Sequence, residues 1–241
     1  MPGEAPSKPS LGKLFVVATP IGNLEDLTFR ALKTLKEVAS IACEDTRHTR
    51  KLLARYELRK NLISYFEPRE RQKIPQVIQR LREGKDVALV SDAGTPGVSD
   101  PGFPLIREAL RLGFEVVPIP GVSAVTTALS AAGLPTDRFL FLGFPPPKIQ
   151  AAKNLLETLL QEKATLVFYL PARKLPVFLE SIAAVLGQRN TVIAREMTKL
   201  HEEFLRGTPA QLMQLWETKP LKGEVTLLIE GFRKKKKQPI Q

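Results

Sequence analysis

SDAGTPGVSDPG, residues Ser91 to Gly102, stands between the apolar run VALV (Val87–Val90) and the amphipathic run FPLIREALRLG (Phe103–Gly113). A plain turn needs one or two glycines, prolines or small polar residues, and this stretch holds ten of them. Gly and Pro fix unusual backbone shapes and allow close approach, while Asp, Ser and Thr add short polar groups. Two readings compete. One is a long surface loop; the other is a backbone cradle for a small molecule at the carboxyl end of a strand, where α/β proteins bind their ligands.

On both sides of this stretch, strand-like and helix-like segments alternate. KLFVVA (Lys13–Ala18) reads as a strand, and Leu27, Ala31, Leu35 and Val38 share helical spacing in LTFRALKTLKEV. Strand SIACE, helix TRHTRKLLARY, strand LISYF, helix IPQVIQRLREG (Ile74–Gly84) and strand DVALVS lead into the loop. Beyond it the alternation continues to GEVTLLIEG (Gly223–Gly231), with HEEFLRG (His201–Gly207) read as a strand. Strands separated by helix-length segments predict a parallel-rich α/β architecture. Pro118 and Pro120 in VVPIPG mark a boundary between two α/β domains, 13–119 and 120–232, each of ordinary domain size. Residues 1–12 read as a disordered N-terminal segment and 233–241 as a basic disordered tail.

The 241 residues carry a net charge of +11, which points to a polyanionic partner such as nucleic acid, or less often to an anionic membrane surface. RKKKK (Arg233–Lys237) accounts for five of those charges; the remaining +6 belongs to the body of the chain. Cys43 is the only cysteine, which excludes an intramolecular disulfide and a cysteine-rich zinc site. The start, MPGEAPSKPSLGK, lacks the apolar core of a signal peptide, and no apolar run is long enough to span a bilayer. The expectation is a cytoplasmic protein with no membrane partner.

Familiar catalytic signatures are missing. There is no G-x-x-x-x-G-K-[ST], and the first strand is followed by TPIGNLED rather than G-x-G-x-x-G. GVSAV (Gly121–Val125) lacks the second glycine of a nucleophile elbow. His48 and His201 are the only histidines, no paired-histidine metal motif occurs, and no metal is expected. What remains is three loops, each just after an apolar strand: TPIGN (Thr19–Asn23), SDAGTPGVSDPG and PGVSAV (Pro120–Val125). In a parallel sheet all three gather at one edge. That common placement favours the cradle over the surface loop.

LFVVATPIGNLEDLTFRAL, EDTRHTRKLL, VALVSDAGTPGVSDPG, PIPGVSA, AREMTKLHEEFLRGT and KGEVTLLIEG together resemble the ribosomal RNA small subunit methyltransferase I family, a branch of the tetrapyrrole methylase fold. The resemblance covers about Lys13 to Phe232 in order. It implies two α/β domains of the class III methyltransferase type with a cleft between them, and a homodimer. The implied activity is S-adenosylmethionine-dependent methylation of a cytidine ribose 2′-hydroxyl in the decoding region of 16S rRNA in the small ribosomal subunit. Carried over by position, Ile21, Thr95, Val98, Ser123 and Ala124 fall where relatives touch the cofactor, with Leu170 and Met197 near the adenosine; Gly97 belongs to the cradle, which a branched side chain there would fill. Relatives that methylate tetrapyrroles carry G-D-P in the second loop, where this chain has GTP (Gly94–Pro96). The aspartate contact then passes to Asp92 or Asp100, or is absent.

EDTRHTRKLL (Glu44–Leu53) admits two readings that are not exclusive. Asp45 can cap a helix whose basic residues face water, or Arg47, His48 and Arg50 can reach RNA phosphates. A ribose hydroxyl is a very weak acid, so a base would help; Asp45, Glu196 and Lys199 are candidates, and the sequence does not choose among them. Two rival functions remain: carbon methylation of a tetrapyrrole by the same fold, and RNA binding without catalysis. The basic body, EDTRHT and the missing G-D-P count against the first. The second leaves three ligand-type loops unexplained.

Overall fold

The computed structural model describes residues 11–67 and 69–234. Of the ends expected to be disordered, 1–12 and 233–241, only Leu11, Gly12, Arg233 and Lys234 fall among the described residues. The chain divides into two compact units, one running up to Ser123 and one from Ala124.

The first unit holds β1 (Leu14–Val17), α1 (Phe29–Glu37), β2 (Ser40–Cys43), α2 (Thr46–Arg55), β3 (Asn61–Ser64), α3 (Glu70–Arg82), β4 (Val87–Val90), α4 (Phe103–Arg111) and β5 (Val116–Ile119). Its five strands lie in the order β3-β2-β4-β1-β5 and all neighbours are parallel. β2 and β4 are buried along their whole length; β4 is unbroken apolar VALV, and β2 buries one polar residue, Ser40, ahead of Ile41, Ala42 and Cys43. Side chains alternate between two cores. Ile41, Cys43, Ala88 and Val90 meet α1 and α2 through Ala31, Leu35, Leu52 and Leu53. Ala42, Ile63, Val87 and Leu89 meet α3 and α4 through Val77, Ile78, Leu81, Leu105 and Ala109. Helices therefore cover both faces of the sheet.

α3 begins at Glu70, about one turn before the start expected at Ile74, and contains Pro75. As the sixth helical residue, this proline has no N–H to give the Arg71 carbonyl, so the helix runs through it at the cost of one intrahelical bond. Arg71 and Lys73 thereby belong to a helix start rather than to a loop.

The second unit holds α5 (Ala124–Ala132), β6 (Phe139–Phe141), α6 (Ile149–Thr158), β7 (Thr165–Pro171), α7 (Leu175–Val185), β8 (Thr191–Arg195), β9 (Glu203–Gly207), α8 (Pro209–Thr218) and β10 (Glu224–Ile229). Its order is β6-β7-β10-β8-β9, and only β6 and β7 run parallel. The parallel-rich expectation fails in this sheet because the turn Glu196–Glu202 is too short for a crossover, and because β10 enters between β7 and β8 running opposite to both. The core gathers Phe168, Leu170, Ile193 and Leu227 under α6, α7 and α8. α5 packs on the sheet against β8 and β10. No described helix is long and apolar enough to cross a membrane.

α8 starts with a capping box: the Thr208 side chain accepts from the Gln211 amide, and the Gln211 side chain accepts from the Thr208 amide. Thr208→Ala is expected to cost about 1 kcal/mol. A lower urea midpoint with an unchanged slope reports this; an unmoved midpoint means that Pro209 packing holds the helix start.

Candidate active site

In the first sheet the parallel strands point all their carboxyl ends at one edge. Strand order places the ends of β4, β1 and β5 side by side. Thr19, just past β1, exchanges two backbone hydrogen bonds with Gly94, of 2.9 and 3.0 Å. Its buried hydroxyl donates to the Ser91 carbonyl at 3.1 Å. The Ile21 side chain lies over Gly94, since a Cβ placed there would sit 3.7 Å from Ile21 Cγ2. The Thr28 hydroxyl donates to the carbonyl of Pro120 beyond β5. The first two loops are thus joined directly, and the third is tied to the start of α1 and leads on to Ser123.

The loop Ser91–Gly102 closes on itself. The Gly97 amide donates to the Pro101 carbonyl at 3.3 Å, and the Val98 amide to the Thr95 carbonyl at 3.3 Å. Gly102, the N-cap of α4, has φ +146°. A Cβ on it would lie 3.1 Å from Leu89 Cδ2 and 3.2 Å from the Gly97 nitrogen. At Gly97, whose φ is +81°, an added Cβ meets Ile106 and the Phe103 nitrogen only at 3.6 and 3.8 Å. Gly97, expected to line the cradle, therefore has ordinary space; Gly102 is the tight position, and sequence reading passed over it. Only residue-level packing reveals which of three glycines cannot carry a side chain. Thr95 is half-buried and Val98 is 46% exposed.

Carboxylates crowd the same edge. Asp92 Oδ1 accepts the Asp45 amide at 3.1 Å, tying the end of β2 to the loop after β4. Burial, with repulsion from Glu44 and Asp92, pushes the Asp100 carboxyl up to about 6 against a hydrogen bond from Ser91. Glu44 is raised as well, by burial first and then by Asp92. Asp45 differs. It caps α2, accepting the Arg47 amide at 2.7 Å, and pairs with the Arg47 guanidinium at 2.8 Å. Those bonds hold its carboxyl well below the usual carboxylate range, so it accepts protons poorly near neutrality. The Arg47 side chain remains 83% exposed despite the pair, and His48 and Arg50 are exposed beside it.

The remaining candidates belong to the second unit. Leu170 on β7 is a core residue, 2% exposed, and Met197 is 6% exposed. Glu196 Oε1 accepts the Glu224 amide at 2.9 Å and Lys199 Nζ at 3.1 Å, while Lys199 also meets Glu224 at 2.7 Å. Burial disfavours both charges, yet these bonds outweigh it: Glu196 is lowered and Lys199 raised. Both stay charged near neutrality. Glu196 and Thr198 adopt φ of +50° and +65°, uncommon for side chains with a Cβ.

The sequence pattern described as Tetrapyrrole (Corrin/Porphyrin) Methylases matches residues 13–213. The chain is 45% identical over 221 residues to "Ribosomal RNA small subunit methyltransferase I" of Thermotoga maritima, covering 92% of this chain and 99% of that protein. It is 47% identical to the protein of the same name from Halalkalibacterium halodurans, covering 91% and 76%. Among solved structures, uroporphyrin-III-C-methyltransferase from Thermus thermophilus superposes with a TM-score of 0.64 at 23% identity, covering 91% and 94% of the two chains. A diphthine synthase superposes with a TM-score of 0.67 at 16% identity, covering 91% and 90%. Both structures share the fold.

Proposed function

We infer the function from one premise: the chain belongs to the tetrapyrrole (corrin/porphyrin) methylases and, within them, to the ribosomal RNA small subunit methyltransferase I family. It is a methyltransferase acting on ribosomal RNA. The finer reading is transfer of a methyl group from S-adenosylmethionine to a cytidine 2′-hydroxyl in the decoding region of 16S rRNA, by a cytoplasmic homodimer. One observation carries it: 45% identity extends over 99% of the Thermotoga maritima relative, so the likeness is not confined to a shared scaffold.

The carboxyl edge suits this cofactor. Bound S-adenosylmethionine supplies an electrophilic methyl group on a positively charged sulfur. The crowded carboxylates Glu44, Asp92 and Asp100 form a negative centre for its cationic groups, and the loop closed by Gly97 and Gly102 brings backbone close enough to bind it. Ile21, Thr95, Val98 and Ser123 shape the walls on this edge. Catalysis by these residues is mainly positioning, because an in-line displacement gains most from aligned reactants. As the oxygen–carbon bond forms and the carbon–sulfur bond breaks, the hydroxyl proton needs an acceptor. Asp45, Glu196 and Lys199 are each committed to ion pairs. Asp100, pushed up to about 6 chiefly by burial, is a carboxylate of this edge whose proton affinity suits that role near neutral pH.

A transfer assay with tritium-labelled S-adenosylmethionine tests the reading against RNA-depleted extract, naked rRNA and small subunits offered separately. Label in RNA is expected; label only in the extract would sink it. Arg47→Ala with Arg50→Ala is expected to cut transfer to small subunits while calorimetry shows unchanged cofactor affinity. Full activity of that double variant returns both residues to a solvated helix face.

A further inference from the structure

The basic side chains at the carboxyl edge are not confined to α2. β2 and β3 are parallel neighbours paired up to Cys43 and Ser64, so the helices that follow them, α2 and α3, both start at that edge. They start on opposite faces of the sheet, because α2 packs into one core and α3 into the other. Each start carries exposed cations, although α3 also has an acid, Glu70, in its first turn. Arg47, Arg50 and Lys51 share one exposed face of α2, and Arg69, the N-cap of α3, and Arg71 are exposed.

Helix stability does not account for this placement. The first turn of a helix favours carboxylates, and a cation there opposes the macrodipole. Beyond its N-cap Asp45, α2 has no acid in its first turn; α3 has one, Glu70, and Arg69 makes no side-chain cap. Among the described residues, no carboxylate forms an ion pair with Arg50, Lys51, Arg69 or Arg71, whereas Lys13, Lys85 and Arg111 elsewhere in the unit are paired. Helix ends and unpaired cations place positive charge on each side of the strand ends, offset on the α3 side by the half-buried Glu70. Between the two sides lie the carboxylates Glu44, Asp92 and Asp100.

We propose that the starts of α2 and α3 form a two-sided phosphate clamp, with Arg69 and Arg71 gripping the RNA backbone opposite Arg50 and Lys51. This rests on the reading that RNA is the substrate. A positive rim around a negative centre sorts the parts of a nucleotide: phosphates settle on the rim, and only a neutral ribose or base gains by entering. The two cationic sets sit on opposite faces of a sheet, so a flat anionic bilayer cannot touch both, whereas a single strand can pass across the edge.

The test compares two variants of equal charge. Arg69→Gln with Arg71→Gln removes the clamp; Arg80→Gln with Arg82→Gln removes two cations from the last turn of the same helix, roughly 15 Å further along it. Binding of each to a single-stranded rRNA fragment and to small subunits is measured against salt, with circular dichroism as the folding control. The first pair is expected to lower the salt slope by about 1.4, at ~0.7 per single-strand phosphate contact, with unchanged S-adenosylmethionine affinity. The second pair is expected to leave the slope alone. An unchanged slope in the first pair, or equal losses in both, overturns the clamp. So does a loss seen on anionic vesicles or an acidic peptide but not on RNA. Failure of the wild type to methylate RNA strikes the functional reading; a wild type that methylates beside an undiminished first pair strikes the clamp alone.

Discussion

Asp100→Asn is expected to make the protein more stable at pH 8 and worse at binding S-adenosylmethionine. In the unfolded chain an aspartate ionises near 3.9, and here burial and neighbouring carboxylates move Asp100 to about 6. Between those values the folded state binds more protons than the unfolded one, so stability falls as pH rises through the window. Above it the loss is complete, on the order of 3 kcal/mol. Asparagine cannot ionise and escapes this cost while still accepting a hydrogen bond from Ser91. The variant should therefore melt several degrees higher at pH 8 and match the wild type near pH 4. Cofactor affinity should fall by about tenfold or more, since ~1.4 kcal/mol of lost attraction suffices. In the wild type the same affinity should weaken as pH drops below 6. Equal melting at pH 8 removes the buried-charge argument; equal affinity removes Asp100 from the site.

Gly102→Ala is expected to abolish cofactor binding at millimolar concentration. Its φ of +146° lies where side chains are strained, at a cost of roughly 1–3 kcal/mol. The new methyl must also push on Leu89 at the end of β4 and on the Gly97 amide. Neither can yield freely: Leu89 is a buried core residue of the central sheet, and the Gly97 amide is bonded to Pro101. The loop opens, and the walls it carries move apart. Gly97→Val meets no such obstacle within the reach of its Cβ and bears mainly backbone strain, so its loss should be the smaller of the two. Calorimetry on both proteins checks the order. A reversed order places the cofactor directly against Gly97 and makes side-chain volume there the deciding factor.

Much of this was legible in the residues. Apolar runs such as VALV, flanked by amphipathic segments, announce buried parallel strands, and the punctuation TPIGN, SDAGTPG and PGVSA marks the loops that follow β1, β4 and β5 at one sheet edge. Distinctions that depend on distance were not legible. Asp45 and Asp100 look alike in sequence, yet one spends its carboxylate on Arg47 and a helix end, while the other is crowded among acids and titrates near neutrality. The direction of β9 and β10 escaped notice because helix-length spacing says how far the chain travels between strands and not which way it returns. Pro75 drew the start of α3 too late, since a proline that the helix runs through looks the same as one that begins the helix.

The interleaved order of the first sheet has a consequence for how the protein comes into being. β1 pairs only with β4 and β5, and the closure between β1 and β4 spans about 70 residues. Such distant pairing is slow, because a long loop must be closed before any contact rewards it. In the second unit β8 and β9 are joined by a short turn and can meet at once. During synthesis β1 must wait, unpaired, until Val87–Val90 has emerged. The bridge between Thr19 and Gly94 can form only after that, so the joined loop edge is among the last features the first unit acquires, and a nascent chain cut before β4 should lack it.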